Sequence, residues 1–222
     1  MAGQASPSIQ FAATVVPLRA GASAPEVLLL QRAAALVFYG GAWVFPGGRI
    51  DPEDGDAQGD LVETGKRAAV RELAEEAGLT VAPDALSLLS RWLTPPGRTR
   101  RYDTLHFVAH VTSDQPVKVQ PSEVAAYRWL SAAEALELHA QGEIELPPPT
   151  FVTLTLLATL TSVEGASALT ASPLHYIPRQ HPVEGGSIYL YAGDAGYETG
   201  ELTAQGPRHR LHVFGRQWRY ER

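Results

Sequence analysis

Apolar positions along the chain fall into short, partly β-branched runs separated by turn residues, then into one four-residue stripe, then into short runs again. Residues 11–18 and 27–30 are two such runs, divided by the small-residue turn at 20–25, and they read as adjacent strands. Residues 42–45 predict a third short strand, stopped by Pro46-Gly47-Gly48. Residues 49–60 are polar, acidic and without periodicity, which predicts a loop. From 64 to 77 strong helix formers take over, with Ala69, Leu73 and Ala77 on one face and Gly78 as the expected stop. Strands are expected at 86–93, 101–111 and 124–130. A helix at 131–141 opens with Ser131 and carries Glu134 three residues later, the spacing of a reciprocal cap. Pro147-Pro148-Pro149 interrupts the chain before a second apolar helix at 151–163. Past 165 the chain is turn-rich, with alternating runs at 187–191 and 209–214. These boundaries predict a main domain over 8–164, with an acidic insertion at 49–62, followed by a small β-rich C-terminal extension over 165–222.

Composition narrows the chemistry. At 222 residues and 45% hydrophobic, the chain can build one large domain or two small ones. It has no Cys, which excludes disulfides, Cys-ligated zinc or iron–sulfur sites and a thiol nucleophile. With 18 Lys+Arg against 24 Asp+Glu, a net charge of −6, a broadly basic nucleic-acid surface is not expected. No apolar run approaches the roughly 18 residues a membrane span requires, and residues 1–10 lack a basic start followed by an apolar run. The chain ends Tyr220-Glu221-Arg222, unlike a Ser-Lys-Leu-type peroxisomal address, so a cytoplasmic location is the expectation. The seven His residues form no HExxH pattern and no Ser sits in a GxSxG elbow, so neither zinc peptidase nor serine hydrolase chemistry is supported.

The informative stretch is Arg71-Glu72-Leu73-Ala74-Glu75-Glu76-Ala77-Gly78-Leu79. On a helix, Glu72, Glu75 and Glu76 stand at i, i+3 and i+4, so three carboxylates leave one side within a turn. Such a face is either a solvated acidic surface or a site for a hard cation, since Mg²⁺ and Mn²⁺ prefer oxygen ligands. The insertion offers Asp54, Asp56, Gln58 and Gly59 in an EF-hand-like spacing, but Gly65 stands where that loop needs its bidentate glutamate, so a calcium loop is rejected.

Gly48, then Glu63, seven residues, Arg71-Glu72-Leu73, one residue, Glu75-Glu76, one residue and Gly78-Leu79 together resemble the Nudix box, preceded by Trp43-Val44-Phe45-Pro46-Gly47-Gly48. Fourteen residues separate Gly48 from Glu63, about nine more than the family pattern. Trp92-Leu93-Thr94-Pro95-Pro96, Arg100-Arg101-Tyr102-Asp103-Thr104, Phe107-Val108-Ala109 and Leu146-Pro147-Pro148-Pro149-Thr150-Phe151 are similar to the branch containing the peroxisomal coenzyme A diphosphatases. Leu28-Leu29-Leu30-Gln31-Arg32 is a looser match to a coenzyme A signature.

The resemblance implies an α/β fold, a three-layer α/β/α sandwich around a mixed sheet, and metal-assisted hydrolysis of a nucleoside diphosphate linked to another moiety. It implies that Glu72, Glu75 and Glu76, helped by the Gly48 carbonyl, hold Mg²⁺ or Mn²⁺, and that Arg71 orients the glutamates with Glu63 as its ion-pair mate. The general base is a box glutamate or a later carboxylate, for which Glu123 is the candidate. Arg32, Arg100 and Arg101 are the expected substrate contacts, since Arg presents a planar fork to phosphate. Coenzyme A is the leading substrate, with ADP-ribose or a dinucleotide, or a non-catalytic sensor, as the other readings. No nucleic-acid or membrane partner is expected. The extension covers the active site, pairs with a second subunit in a homodimer, or extends the sheet; its Tyr189, Tyr191, Tyr197 and Arg208-His209-Arg210 serve either a ligand or packing. Residues 49–78 hold nine acids and four bases, a net of −5, whereas 91–101 carries four Arg and no acid. The overall charge therefore describes a local acidic patch beside a basic segment.

Overall fold

Alternation within the first two strands sets the architecture. The computed structural model describes residues 8–35, 39–112 and 114–222. In β1 (Ile9–Arg19) and β2 (Glu26–Arg32), Ala13, Val15, Leu28 and Leu30 face one apolar cluster while Val16, Leu18, Val27 and Leu29 face another. Successive side chains on a strand point to opposite faces, so a strand apolar at both parities needs cover on both sides.

One cover is α1 (Leu61–Ala77), whose Ala68, Ala69, Leu73 and Ala77 are buried against the first face. The expected start at 64 is corrected to Leu61: the Asp60 side chain accepts from the Glu63 N–H at 3.0 Å, a cap hidden in the polar insertion. Gly78 ends the helix in the left-handed conformation at φ 67°, as expected. Gly65 lies inside α1 because a Cβ there would sit 2.7 Å from Leu105 Cδ1, so the missing side chain lets the helix lie close on the sheet.

The other face is covered by α2 (Ala132–Gln141), with the Ser131/Glu134 reciprocal cap, and by α3 (Pro148–Leu157). The second apolar helix begins at Pro148 rather than 151, because proline is compatible with the first helical turn, and it ends at Leu157 rather than 163. A short helix α4 (Ala166–Thr170) follows.

The main sheet contains β3 (Trp43–Val44), β4 (Gly47–Arg49), β5 (Ser87–Leu93), β6 (Arg101–His110), β7 (Val124–Ser131) and β8 (Leu174–Tyr176) besides the first two strands. Its order is β3-β2-β1-β6-β5-β8, with β4 on β1 and β7 on β2; β1 runs parallel to β6 and antiparallel to β2, so the sheet is mixed. The three-layer α/β/α expectation is met. A second, antiparallel sheet is formed by β9 (Arg179–Val183), β10 (Gly186–Leu190), β11 (Arg210–Phe214) and β12 (Gln217–Glu221) in the order β12-β11-β10-β9.

The C-terminal residues share the core of the main domain. β8 adds to β5 in parallel, and Tyr176 stacks on Trp92 with ring centroids 3.9 Å apart. Tyr191 and Leu211 of the second sheet lie in the same apolar cluster as Phe151 and Leu154 of α3. A hydrogen-bonded row of Tyr176, Tyr220 and His209 ties the sheets together, at 3.1 Å and 2.9 Å. Tyr191 and His209 are thus packing groups, and Arg210 is buried in an ion pair with Asp194 at 2.6 Å.

Candidate active site

β1 and α1 together assemble the site. β4 pairs antiparallel with β1, Gly48 opposite Ala13 and Gly47 opposite Thr14, which carries the glycine pair beneath the last turns of α1. The Gly47 N–H donates to Glu76 Oε2 at 2.9 Å. A Cβ on Gly48 would overlap the Glu72 carboxylate, 2.5 Å from its Cδ. Only glycine at 48 allows this approach, so the box glycine and the first triad glutamate are one fitted contact.

Arg71 organises the neighbouring carboxylates. Its Nη1 donates to Glu72 Oε1 at 2.8 Å and to Glu75 Oε2 at 3.2 Å, and its Nη2 to the Arg49 carbonyl at 3.0 Å. The other strong partner is Asp54, gripped at both oxygens, Nε to Oδ1 at 3.0 Å and Nη2 to Oδ2 at 2.8 Å. This corrects the expectation for Glu63, whose Oε1 is taken by Lys66 Nζ at 2.8 Å. Eight residues along one helix put Glu63 ~12 Å from Arg71 in rise, whereas the insertion brings Asp54 alongside. Residues 52–54 form a 3-10 turn rather than a plain solvated loop, and Asp54 is buried at 5% exposure. The sequence signal was faint: Asp51-Pro52-Glu53-Asp54, a turn start with proline at its first position.

The triad is electrostatically loaded. Burial pushes the Glu72 carboxyl up, opposed by Arg71 and reinforced by Glu75 and Glu123. Burial likewise lifts Glu76, at 5% exposure, to about 7; the Gly47 N–H and Arg32 oppose the rise, and Glu72 and Glu123 add to it. Burial alone would raise Asp54, but the Arg71 hydrogen bonds hold it below its ordinary range.

Glu72, Glu75, Glu76, Arg71 and Gly48 are therefore brought together, with Arg32 and Glu123 near enough for their charges to act on Glu76. The Glu123 carbonyl accepts from Ala33 N at 2.8 Å, which joins the strand after it to the end of β2. Glu72 and Glu75 turn to Arg71 and Glu76 turns to Gly47, so no three such side chains converge on one point among the described residues. Their oxygen-only donor set and their crowding nevertheless fit a hard divalent cation.

Arg100 and Arg101 stand elsewhere. Arg101 opens β6 opposite Ile9, four residues before Ala13, the residue that faces Gly48. That offset is ~13 Å along the strand. Arg101 Nε donates to the Thr94 carbonyl at 3.1 Å, and the neighbouring Arg98 donates to Gln180 of β9 at 2.7 Å. Arg98 lines an open cleft of about 580 Å³ with Pro95, Arg179, His181 and Tyr197.

Among the described residues no helix is long and apolar enough to cross a membrane. The NUDIX domain family matches residues 9–148. Acyl-coenzyme A diphosphatase NUDT19 from Homo sapiens is 38% identical over 123 residues, 53% of this chain and 32% of that protein. The putative nudix hydrolase 7 of Caenorhabditis elegans is 26% identical over 168 residues, 60% of this chain and 56% of that one. The chain thus spans between about a third and just over half of the length of these relatives. The crystal structure of a NUDIX hydrolase from Alicyclobacillus acidocaldarius superposes with a TM-score of 0.66 at 26% identity, covering 74% of this chain and 97% of the other. With the box helix, its glycine contact and a match across well over half of its length, this chain belongs to the Nudix family.

Proposed function

We propose that the chain hydrolyses the diphosphate bond of a nucleoside diphosphate linked to another moiety, with Mg²⁺ or Mn²⁺, and that coenzyme A or its acyl derivatives are the substrate. The observation that carries this reading is one turn of α1, where Glu72, Glu75 and Glu76 leave the helix beside Gly47 and Gly48. The name of the human relative, acyl-coenzyme A diphosphatase, supports the choice of coenzyme A.

Glu72, Glu75 and Glu76, with the Gly48 carbonyl, would hold the cation. Bound there, a divalent cation neutralises phosphate charge and makes water a better nucleophile. The chain's own groups do the remaining work. Arg71 fixes the direction of Glu72 and Glu75 through its Nη1. A box glutamate, Glu75 or Glu76, is one candidate to take a proton from the attacking water, and Glu123, whose charge acts on Glu76, is the other. Arg32 adds positive charge beside Glu76 for an anionic substrate. Arg100 and Arg101 would meet a part of the substrate distant from the triad.

A hydrolysis panel tests the reading: coenzyme A, an acyl-coenzyme A, ADP-ribose, NADH and a dinucleoside polyphosphate, with Mg²⁺ and chromatographic product analysis. Coenzyme A should yield 3′,5′-ADP and 4′-phosphopantetheine. Turnover of ADP-ribose alone would move the substrate assignment, and tight ligand binding without turnover under Mn²⁺ would make the protein a sensor.

A further inference from the structure

The acidic insertion is the one part of the box that the proposed reaction leaves without a task, yet it is fastened to α1 over successive turns. Thr64 Oγ1 donates to the Asp56 carbonyl at 3.2 Å, Arg67 Nε donates to the Asp54 carbonyl, and Arg71 grips the Asp54 carboxylate. Residues 64, 67 and 71 are spaced three and four apart, so these anchors share one face of the helix. Asp54 is also held from behind, since its Oδ2 accepts from the Asp51 N–H at 2.9 Å.

A guanidinium is rigid and planar, so fixing one edge fixes the direction of the rest. Asp54 takes Nε and Nη2, which leaves Nη1 facing Glu72 and Glu75. We infer that Asp54 is a positioning residue for the carboxylate triad, acting through Arg71, and that the insertion thereby performs the orienting task that the family pattern gives to Glu63. Glu63 itself is only half-buried and belongs to Lys66. The inference rests on the reading that the triad binds a divalent cation. It gives the insertion a function: it delivers a buried anion to the arginine that aims the ligands.

The test is Mn²⁺ binding to the purified 222-residue chain, followed by the paramagnetic resonance signal of free Mn²⁺, well below each variant's unfolding midpoint. Glu76→Gln comes first. Wild-type Mn²⁺ affinity in that variant would overturn the metal reading and this inference with it. If Glu76→Gln weakens binding, Asp54→Asn should weaken it by about tenfold or more, the usual effect of removing a group that orients a metal ligand. Glu63→Gln should stay within about twofold of wild type. Arg71→Lys, which keeps the charge but not the fork, should match Asp54→Asn, and the double variant should be little worse than either because the two residues act as one unit. Unchanged affinity in Asp54→Asn overturns this inference alone, as does a fully additive double variant. Should Asp54→Asn fail to fold, wild-type affinity in Arg71→Lys or a tenfold loss in Glu63→Gln has the same force.

Discussion

Glu76→Gln should make the metal-free protein more stable at alkaline pH while removing its activity. Glu76 is 5% exposed, with Oε2 on the Gly47 N–H at 2.9 Å, and burial with the neighbouring Glu72 and Glu123 lifts its carboxyl from an ordinary 4.5 to about 7. A folded-state value above the unfolded one means that the native chain holds more protons between those two values. Stability from this group is therefore complete below about 4.5 and is lost as pH rises through about 7. The difference corresponds to ~3 kcal/mol. Glutamine mimics the protonated acid and escapes the penalty. Urea titrations in EDTA should show the variant level with wild type at pH 4.5 and more stable by ~3 kcal/mol at pH 8.5, and thermal melts at pH 8.5 should show a midpoint ~6–12 °C higher for a chain of this size. In parallel, Mg²⁺-dependent hydrolysis should fall by about 100-fold or more. A variant that loses stability equally at both pH values would refute the burial reasoning. Near wild-type turnover at saturating Mg²⁺ would refute the assignment of Glu76 to the metal site.

Gly48→Ala should fold normally yet lose about tenfold or more in turnover and Mn²⁺ affinity, because its Cβ displaces the Glu72 carboxylate; wild-type kinetics would show that the close contact is incidental. Asp194→Asn should cost ~3–5 kcal/mol at pH 7 in urea titration, since it leaves the buried Arg210 without its counter-ion. Burial would raise the Asp194 carboxyl, but Arg210 and the His209 and Gly196 N–H groups hold it at about 2 against an ordinary 3.8. The wild-type advantage is therefore present above about 3.8 and fades as pH falls toward 2, and an advantage that persists unchanged to pH 2 would contradict this pairing. Truncation after Val163 removes Tyr176, Tyr191 and Leu211 from the core and bares the Trp92 ring, so the shortened chain should bind a hydrophobic dye and unfold without cooperativity. A cooperative, active fragment would show that the C-terminal sheet is a dispensable attachment.

What could be read along the chain was set by how far apart interacting residues lie in it. The Ala69-Leu73-Ala77 stripe, the Gly78 stop and the Ser131/Glu134 cap are each written within a few residues, and all three stand in the structure as expected. The triad was legible for the same reason, since it occupies one helical turn. Asp54 was not: its burial depends on Arg71, 17 residues away, and outside that pairing Asp51-Pro52-Glu53-Asp54 looks like any acidic turn. The runs at 187–191 and 209–214 stand as β10 and β11, but the two outer strands of that sheet hid in a similar way. β9 contains Pro182 and is largely exposed, and β12 alternates polar and aromatic residues, so each takes strand form by pairing with β10 or β11. Tyr176 and Trp92 meet only because β8 comes back to β5. The acidic patch at 49–78 changes meaning under the same distance rule. Four of its nine acids are not diffuse solvated charge, because Asp54, Glu72 and Glu75 meet a single guanidinium and Glu76 is buried against a backbone N–H, whereas Glu53, Asp56 and Asp60 are exposed. The insertion that looked like a departure from the family pattern thus supplies, in Asp54, the buried anion that Arg71 grips while its free edge faces Glu72 and Glu75.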